Sequence, residues 1–224
     1  MYGRCRKTLP AILPGKGQLQ LLFTEYRKYL TLKLRGIMAL YNFILTLSGV
    51  TYETEGLEDA LYESGCNDAL ICAYGSSVYV EFDREAESLD AAISSAVNNI
   101  ESADIGAIVE SVDSALVGLS DIAEMTRMSR QAIAMLKDGT RGSGDFPCPI
   151  QRIKGQSPLW DWGEVACWLA TNGRLKQDSE MVINARVLSK WNLVLRNSAS
   201  KDFEQIESLT ASLVARRRKQ GACA

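Results

Sequence analysis

The stretch LSDIAEMTRMSRQAIAMLKDG, residues 119–139, contains two short helical patterns separated by a tight turn. Ser120 is the candidate N-cap of the first helix, because a short hydroxyl side chain accepts hydrogen bonds from the free N–H groups of a first turn. We expect this helix to end near Thr126. Ser129 is the candidate N-cap of the second helix, and Gly139 is its expected end. The stretch therefore predicts a helix-turn-helix.

The predicted second helix has two chemically different faces. One face carries Ala132, Ile133 and Leu136 at helical spacing, and the other carries Arg130, Gln131, Ala134 and Lys137. Arginine can donate two hydrogen bonds to guanine, and glutamine can pair in the same way with adenine. We therefore predict a recognition helix that starts near Ser129, with DNA-base contacts from Arg130, Gln131 and Ala134. Apolar spacing alone is also compatible with a helical hairpin inside an ordinary core.

The next segment, TRGSGDFPCPIQRIKGQSPLWDWGEVACWLATN at 140–172, is typical of a wing. It begins with a Gly-rich basic loop and continues with two short extended runs around the turn at 154–157. Asp161 is the candidate N-cap of a further helix, whose inner face is expected to carry Val165, Trp168 and Leu169. Basic side chains in this segment would flank the phosphate backbone of a duplex.

Residues 119–169 resemble the winged helix-turn-helix of MerR-like and phage-excisionase-like regulators. The resemblance rests on SRQAI at 129–133 and on the pattern PLW…W…EV…WL between Pro158 and Leu169. It implies that the chain binds double-stranded DNA, with phosphate contacts from Ser129, Arg127, Lys137, Arg141, Arg152 and Lys154. Such turns often carry Gly where this chain has Arg127, and a positive φ there would cost about 1 kcal/mol or more.

Charge is segregated along the chain, although the whole chain has a net charge of only -2. Residues 1–37 carry eight Lys or Arg and one acid, a net of +7, whereas residues 38–115 carry one base, Arg84, and fifteen acids, a net of -14. Residues 116–224 carry sixteen bases and eleven acids, a net of +5. An acidic block cannot lie along a phosphate backbone without losing electrostatic free energy. We therefore expect DNA contact in the C-terminal half only.

The acidic block alternates strand and helix patterns. Strands are predicted at 41–47, 69–74, 77–83 and 105–112, and helices over residues 56–64 and 88–102. The firmest local feature is a hairpin from Tyr74 to Ser77. The order β-α-β-β-α-β predicts a ferredoxin-like domain whose antiparallel sheet is covered on one face by two helices. Charge runs such as Glu81 to Glu87 are expected to be a solvated face, so we assign no metal or cofactor site there.

The composition indicates a folded protein, since 46% of the residues are hydrophobic. No apolar run is long enough to span a bilayer and the amino terminus lacks the pattern of a secretory signal, so we predict a cytoplasmic protein without membrane contact. The six Cys residues are scattered and the chain has no His, which favours free thiols over a zinc site.

The two ends leave alternatives open. Residues 1–37 form a basic extension that includes a helical pattern, compatible with packing on the domain or with a membrane surface, and Met38 is an alternative translation start. Residues 173–224 predict a C-terminal helical segment with two apolar stripes, one from Met181 to Leu195 and one from Phe203 to Leu213. These stripes are compatible with a homodimer interface and equally with packing inside the chain. The run from Arg216 to Lys219 would approach phosphate or remain solvated.

The sequence therefore predicts an α+β protein with a basic extension at 1–37, an acidic ferredoxin-like domain at 38–115, a winged helix-turn-helix at 116–172 and C-terminal helices at 173–224. The predicted function is that of a sequence-specific transcriptional regulator from a prokaryote or phage, acting as a homodimer. One alternative is an antitoxin-like module whose acidic domain binds a basic protein while the winged domain represses its own operon. Another is an excisionase-like protein that bends DNA. No recognisable catalytic set is present, so we do not predict an enzyme.

Overall fold

The computed structural model describes residues 38–113 and 115–219. The chain divides into two units, Met1–Ala39 and Leu40–Ala224. The predictions for the basic extension at 1–37 and for residues 220–224 lie outside the described residues. The described residues form a mixed α+β structure with a four-stranded antiparallel sheet, a small two-stranded sheet and seven helices.

The first part of the fold follows the predicted order of strands and helices. The elements are β1 (Ala39–Ser48), α1 (Leu57–Glu63), β2 (Ala69–Tyr74), β3 (Ser77–Ala86), α2 (Leu89–Glu101) and β4 (Ile108–Val112). The strands lie in the sheet in the order β2-β3-β1-β4. Strands β2 and β3 pair from Ala69 with Phe82 to Tyr74 with Ser77, which confirms the predicted hairpin.

Alternation of apolar residues explains why one face of this sheet is buried. In β1 the buried side chains are Phe43, Leu45 and Leu47, and in β3 they include Val78, Val80 and Phe82. The rings of Phe43 and Phe82 stack with centroids 5.2 Å apart. The apolar faces of α1 and α2 cover this side of the sheet through the buried residues Leu57, Leu61, Ala92, Ile93, Ala96 and Ile100. We call this set the sheet core.

Arg84 is the only basic residue of the acidic block and the only charged side chain that is buried among the described residues. Its guanidinium donates to both carboxylate oxygens of Asp68, at 2.8 and 2.7 Å. It also donates to Ser95 Oγ and Asn99 Oδ1, each at 3.1 Å, and to the carbonyl oxygen of Gly65 at 3.0 Å. All five of its N–H groups are thereby used, so this residue ties β3 to α2 and to the α1–β2 loop.

The second part of the fold has its own apolar core. Its elements are β5 (Leu116–Val117), α3 (Leu119–Thr126), α4 (Arg130–Lys137), β6 (Trp160–Asp161) and α5 (Trp162–Thr171). Strands β5 and β6 form a two-stranded antiparallel sheet. The largest fully buried side chains here are Trp160, Trp162, Ile122, Ile133, Leu136 and Leu169. We call this set the helical core.

Helix α6 (Glu180–Ser198) contributes to both cores. Val182 and Ala185, near its beginning, are buried in the helical core, whereas Leu195, near its end, is buried in the sheet core. Between them, the Asn192 side chain pairs with the backbone of Val112 in β4, accepting from its N–H at 3.2 Å and donating to its carbonyl oxygen at 2.8 Å. The first predicted C-terminal stripe is thus covered inside the chain.

Helix α7 (Phe203–Lys219) follows a short turn and differs from the others, because none of its residues is buried. The second predicted stripe lies on this helix, and packing against the described residues does not bury it. No helix in the described part of the chain combines the length and the apolar character that crossing a membrane requires.

Candidate nucleic-acid interface

The two helices predicted at 119–139 are α3 and α4, but the N-cap of α3 lies two residues before the predicted Ser120. The N-cap of α3 is Gly118, and Ser120 lies inside the first turn. Asp121 accepts a hydrogen bond from the Gly118 N–H at 2.8 Å, so a carboxylate rather than a hydroxyl satisfies the helix start. Helix α3 ends at Thr126, as predicted.

The turn between the two helices is built around Arg127, which has φ 56° and ψ 27°. Its N–H donates to the Glu124 carbonyl at 3.2 Å, and the Met128 N–H donates to the Ala123 carbonyl at 3.0 Å. These two bonds form a Schellman motif, which normally has glycine at the left-handed position. Met128 packs against the helical core beyond it. The turn therefore uses the positive φ that the resemblance implied, with an arginine in place of glycine.

Helix α4 is fixed by its cap and its apolar face. Ser129 accepts a hydrogen bond from the Ala132 N–H at 3.1 Å, which confirms the predicted N-cap. Ile133 and Leu136 are fully buried in the helical core. Gly139 has φ 67° and follows the last turn of the helix. The opposite face of α4 is consequently held in a defined orientation.

The loop after α4 is anchored by aromatic contacts. The Phe146 ring lies edge-on to Trp168 and Trp160, with centroids 5.0 and 6.3 Å away. Trp160 donates from its ring N–H to the Pro147 carbonyl at 2.9 Å. Asp145 accepts hydrogen bonds from Ser143 and from Trp168, and these bonds hold the pKa of its carboxyl below the usual range. The basic loop is therefore attached to the helical core at its midpoint.

The predicted wing is less regular than two extended runs. Among the described residues, the two sides of the hairpin are joined by only one β-bridge, between Gln151 and Leu159. Arg152 has φ 53°, and the Gly155 N–H donates to the Arg152 carbonyl at 2.8 Å, which closes a tight turn. The second side of the hairpin continues into β6, which pairs with β5 beside the start of α3. The hairpin is thus connected directly to the segment that leads into α3.

The predicted DNA-contact residues are nearly all exposed. They are Arg127, Ser129, Arg130, Gln131, Lys137, Arg141, Arg152 and Lys154, while Ala134 is half-buried. Lys137 pairs with its neighbour Asp138 at 2.6 Å, and both side chains are open to solvent. None of the five arginine and lysine residues other than Lys137 forms an ion pair with a described residue. These cations are available to an anionic partner.

One depression brings the hairpin and the helix-turn-helix together. It has a volume of about 230 Å³ and is lined by Arg130 of α4, Ser120 at the start of α3, and Gln156 and Ser157 of the hairpin. A guanidinium, two hydroxyls and an amide beside a helix start offer donors to a phosphate oxygen, whereas the carboxylate of Asp121, which also lines the depression, would repel it. The proximity of Ser120, Gln156 and Ser157 to Arg130 was not predicted, because it depends on how the hairpin folds and leaves no local sequence pattern.

A second concavity, of about 560 Å³, has the opposite electrostatic character. It lies between the sheet, α3 and α6, and its lining includes Glu81, Asp83 and Glu180 together with apolar residues such as Ile44 and Leu188. Carboxylates at this density repel phosphate. The surface around α4 is therefore the better candidate for nucleic acid.

Comparisons with protein-family models, with curated proteins and with solved structures each give no match for this chain.

Proposed function

We propose that this protein is a sequence-specific regulator, prokaryotic or phage-derived, that binds double-stranded DNA through α4. The observation that carries the proposal is the outer face of α4. This face begins at a Ser-capped helix N-terminus and carries the exposed side chains of Arg130 and Gln131, which suit base edges. Four further exposed cations, Arg127, Arg141, Arg152 and Lys154, lie in the turn before α4 and in the loop and hairpin after it, and none of them or Arg130 has an ion-pair partner among the described residues.

The proposed contacts divide into two classes. Arg130, Gln131 and Ala134 would lie at base edges in the major groove, and the depression beside Arg130 would receive a phosphate of the same duplex. Phosphate contacts would come from Ser129, Arg127, Lys137, Arg141, Arg152 and Lys154. Because Asp138 already pairs with Lys137, we assign Lys137 a smaller share of the binding free energy than Lys154.

We propose further that the acidic block is a ferredoxin-like domain and that the segment from Arg141 to Leu159 is the wing of a winged helix-turn-helix. The strand order β2-β3-β1-β4 with two helices on one face supports the first assignment. The pairing of β5 with β6 and the bridge at Gln151 support the second. The acidic domain would modulate assembly or receive a signal.

The first experiment is selection of bound duplexes from a random pool by the full chain at two salt concentrations. We expect enrichment of one motif, and binding that weakens as salt increases. Salt-sensitive binding without enrichment would contradict sequence specificity and favour the excisionase-like role, which a measurement of DNA bending in the complex would then test.

Alanine variants separate the two classes of contact. Replacing Arg130 by Ala should cost about 1 to 3 kcal/mol on the selected site and relax the preference at one base, whereas Lys154→Ala should weaken all sequences similarly and reduce the salt slope by about 1. Lys201→Ala removes an exposed cation at the turn before α7 and serves as the matched control. Equal losses on selected and random DNA for Arg130→Ala would exclude base reading.

A second candidate function is favoured by the burial of Arg84. Since the one base of residues 38–115 points into the protein, the net charge of -14 in that block is not offset by any basic residue of the block at its surface. Such a surface suits a basic protein partner, as in an antitoxin-like module. Recovery of a basic protein with the full chain, and loss of that protein at high salt, would support this function beside autoregulatory DNA binding.

A further inference from the structure

Strand β2 forms one edge of the four-stranded sheet, and among the described residues nothing pairs with its outer side. The opposite edge is β4, where the Asn192 side chain of α6 pairs with the backbone of Val112. The sequence of β2, ALICAY, contains no proline and no charged residue, and its pairing with β3 is regular from end to end. Proteins usually protect an exposed edge with a charge, a proline or a bulge. The β2 edge is therefore open to another strand.

The direction of the backbone groups of β2 follows from its pairing with β3. Just before β2, the Asp83 N–H donates to the Asp68 carbonyl at 3.1 Å, which makes these two residues a hydrogen-bonded pair of the antiparallel ladder. Such pairs alternate with non-hydrogen-bonded pairs, so the N–H and C=O groups of Ala69, Ile71 and Ala73 point away from β3. The edge thus offers N–H donors and carbonyl acceptors at the spacing that an added strand requires.

Side chains on the two faces of this edge differ in character. Ala69 and Ile71 pack against the sheet core, so the alternating Leu70 lies on the other face of the sheet, where it is 62% exposed. On the α1 side, a depression of about 350 Å³ beside the edge is lined by residues that include Glu58 and Asp59. A strand added to β2 would therefore meet an apolar side chain on one face and two carboxylates on the other.

Charge identifies the chemistry of the added strand. Glu58 and Asp59 are exposed, and neither forms an ion pair with a described residue. The one base of residues 38–115 is Arg84, which is buried, so no base of the acidic block neutralises this edge. A second copy of β2 would bring two blocks of net charge -14 edge to edge, which is unfavourable. A strand with Lys or Arg at alternate positions would instead place cations beside the carboxylates.

We propose that the edge of β2 binds an extended basic segment of a partner protein as a fifth strand, with apolar side chains on Leu70 and Lys or Arg side chains beside Glu58 and Asp59. The outward backbone groups of β2 supply affinity, and the alternation of apolar and basic side chains supplies specificity. This inference rests on the second candidate function, in which the acidic block binds a basic protein, and it gives that partner a conformation and a place on the fold.

The probe for this site is an eight-residue peptide of alternating lysine and valine, titrated into the full chain and followed by fluorescence anisotropy of a dye on the peptide. We expect it to bind at least tenfold more tightly than the peptide in which glutamate replaces lysine. Ala73→Pro removes an outward N–H but no bond to β3, and should weaken binding at least fivefold, whereas Ala73→Val keeps the N–H and should change binding less than twofold. Absence of binding, or equal binding by the parent chain and Ala73→Pro, would overturn the proposal.

A second measurement does not depend on how the proline variant folds. In an extended strand the N–H groups of alternate residues point to the same edge, so N-methylation of the valines and N-methylation of the lysines block opposite edges of the peptide. One methylated peptide should bind at least fivefold more weakly than the other, and equal affinities would contradict strand addition. Glu58→Lys should weaken binding of the unmodified peptide several-fold more than Glu204→Lys, a matched charge change on α7.

Failure of this site and failure of the function give different results. Recovery of the same basic protein with the parent chain and with Ala73→Pro would keep the second candidate function and overturn the site. Peptide binding that depends on the β2 edge, with no basic protein recovered by the full chain, would leave the site standing and remove that function.

Discussion

Replacement of Arg84 by Met is the sharpest test of how the sheet core is held together. The substitution keeps the aliphatic part of the side chain but removes a guanidinium that is 6% exposed and donates five hydrogen bonds. Four acceptor groups are then left without their donor, on Asp68, Ser95, Asn99 and Gly65. The Asp68 carboxylate matters most, because it would lose both halves of a bidentate ion pair.

The size of the loss follows from the exposure of Asp68. Removing one partner of a fully buried ion pair costs about 3 to 5 kcal/mol. The Asp68 side chain is 30% exposed, so water can solvate part of the orphaned charge, and we expect the lower end of that range. For a chain of this size, about 3 kcal/mol corresponds to a fall in Tm of roughly 6 to 12 °C.

Urea denaturation followed by circular dichroism measures this quantity. Arg84→Lys should also lose about 2 kcal/mol, because an ammonium has three donors and cannot pair with a carboxylate in bidentate fashion. Glu85→Gln, on the exposed neighbour, is the control and should stay within about 0.5 kcal/mol of the parent. A loss below about 1 kcal/mol for Arg84→Met would show that water replaces the guanidinium without penalty and would refute the reasoning.

Three other predictions concern separate parts of the molecule. Arg127→Gly should raise the free energy of unfolding by about 1 kcal/mol, because φ 56° suits glycine, and unchanged stability in an unfolding titration would contradict backbone strain at this position. If Arg127 contacts phosphate, the same variant should bind DNA more weakly in a DNA titration. The hydrogen bond from Lys190, with a second from Trp191, holds the pKa of Asp90 below 3.8. The ionised Asp90 contributes at most about 1 kcal/mol to the free energy of unfolding at this exposed site. This contribution is present above about pH 4 and is lost as the pH falls through the lowered pKa, so Asp90→Asn should destabilise the protein at pH 7 but not at strongly acid pH. Burial raises the pKa of the Cys66 thiol, whereas Cys148 is exposed, so alkylation followed by mass spectrometry should label Cys148 rapidly and Cys66 only after unfolding; comparable rates would contradict the burial.

Much of the sheet and both short helices of the turn could be predicted from sequence periodicity. Strands with alternating apolar residues, such as Val78, Val80 and Phe82, are buried on one face as the pattern requires. Caps at Ser129 and Asp161 were also predicted correctly, since each accepts from the N–H three residues on. These features depend on neighbours within a few residues, which a single sequence contains.

Features that depend on distant parts of the chain were not predictable. Ser120 is a plausible cap by type, yet the helix begins two residues earlier because Asp121 reaches back to Gly118. The buried network of Arg84 joins residues from three elements, and nothing in the local pattern distinguishes it from a solvated arginine. The depression beside Arg130 likewise arises only when the hairpin folds over α3. The DNA contacts themselves stay a prediction.

Helix α6 has a consequence for how the protein can be divided. It is a continuous helix about 28 Å long, and its first residues pack in the helical core while its last residues pack in the sheet core. A fragment that stops at 115 would lose Leu195 and the Asn192 pairing with β4, and a fragment covering 116–172 would lose Val182 and Ala185. Transfer of the part that contains α3 and α4 to another protein would therefore have to include α6. Amide hydrogen exchange along α6 should accordingly report on the opening of both halves of the molecule.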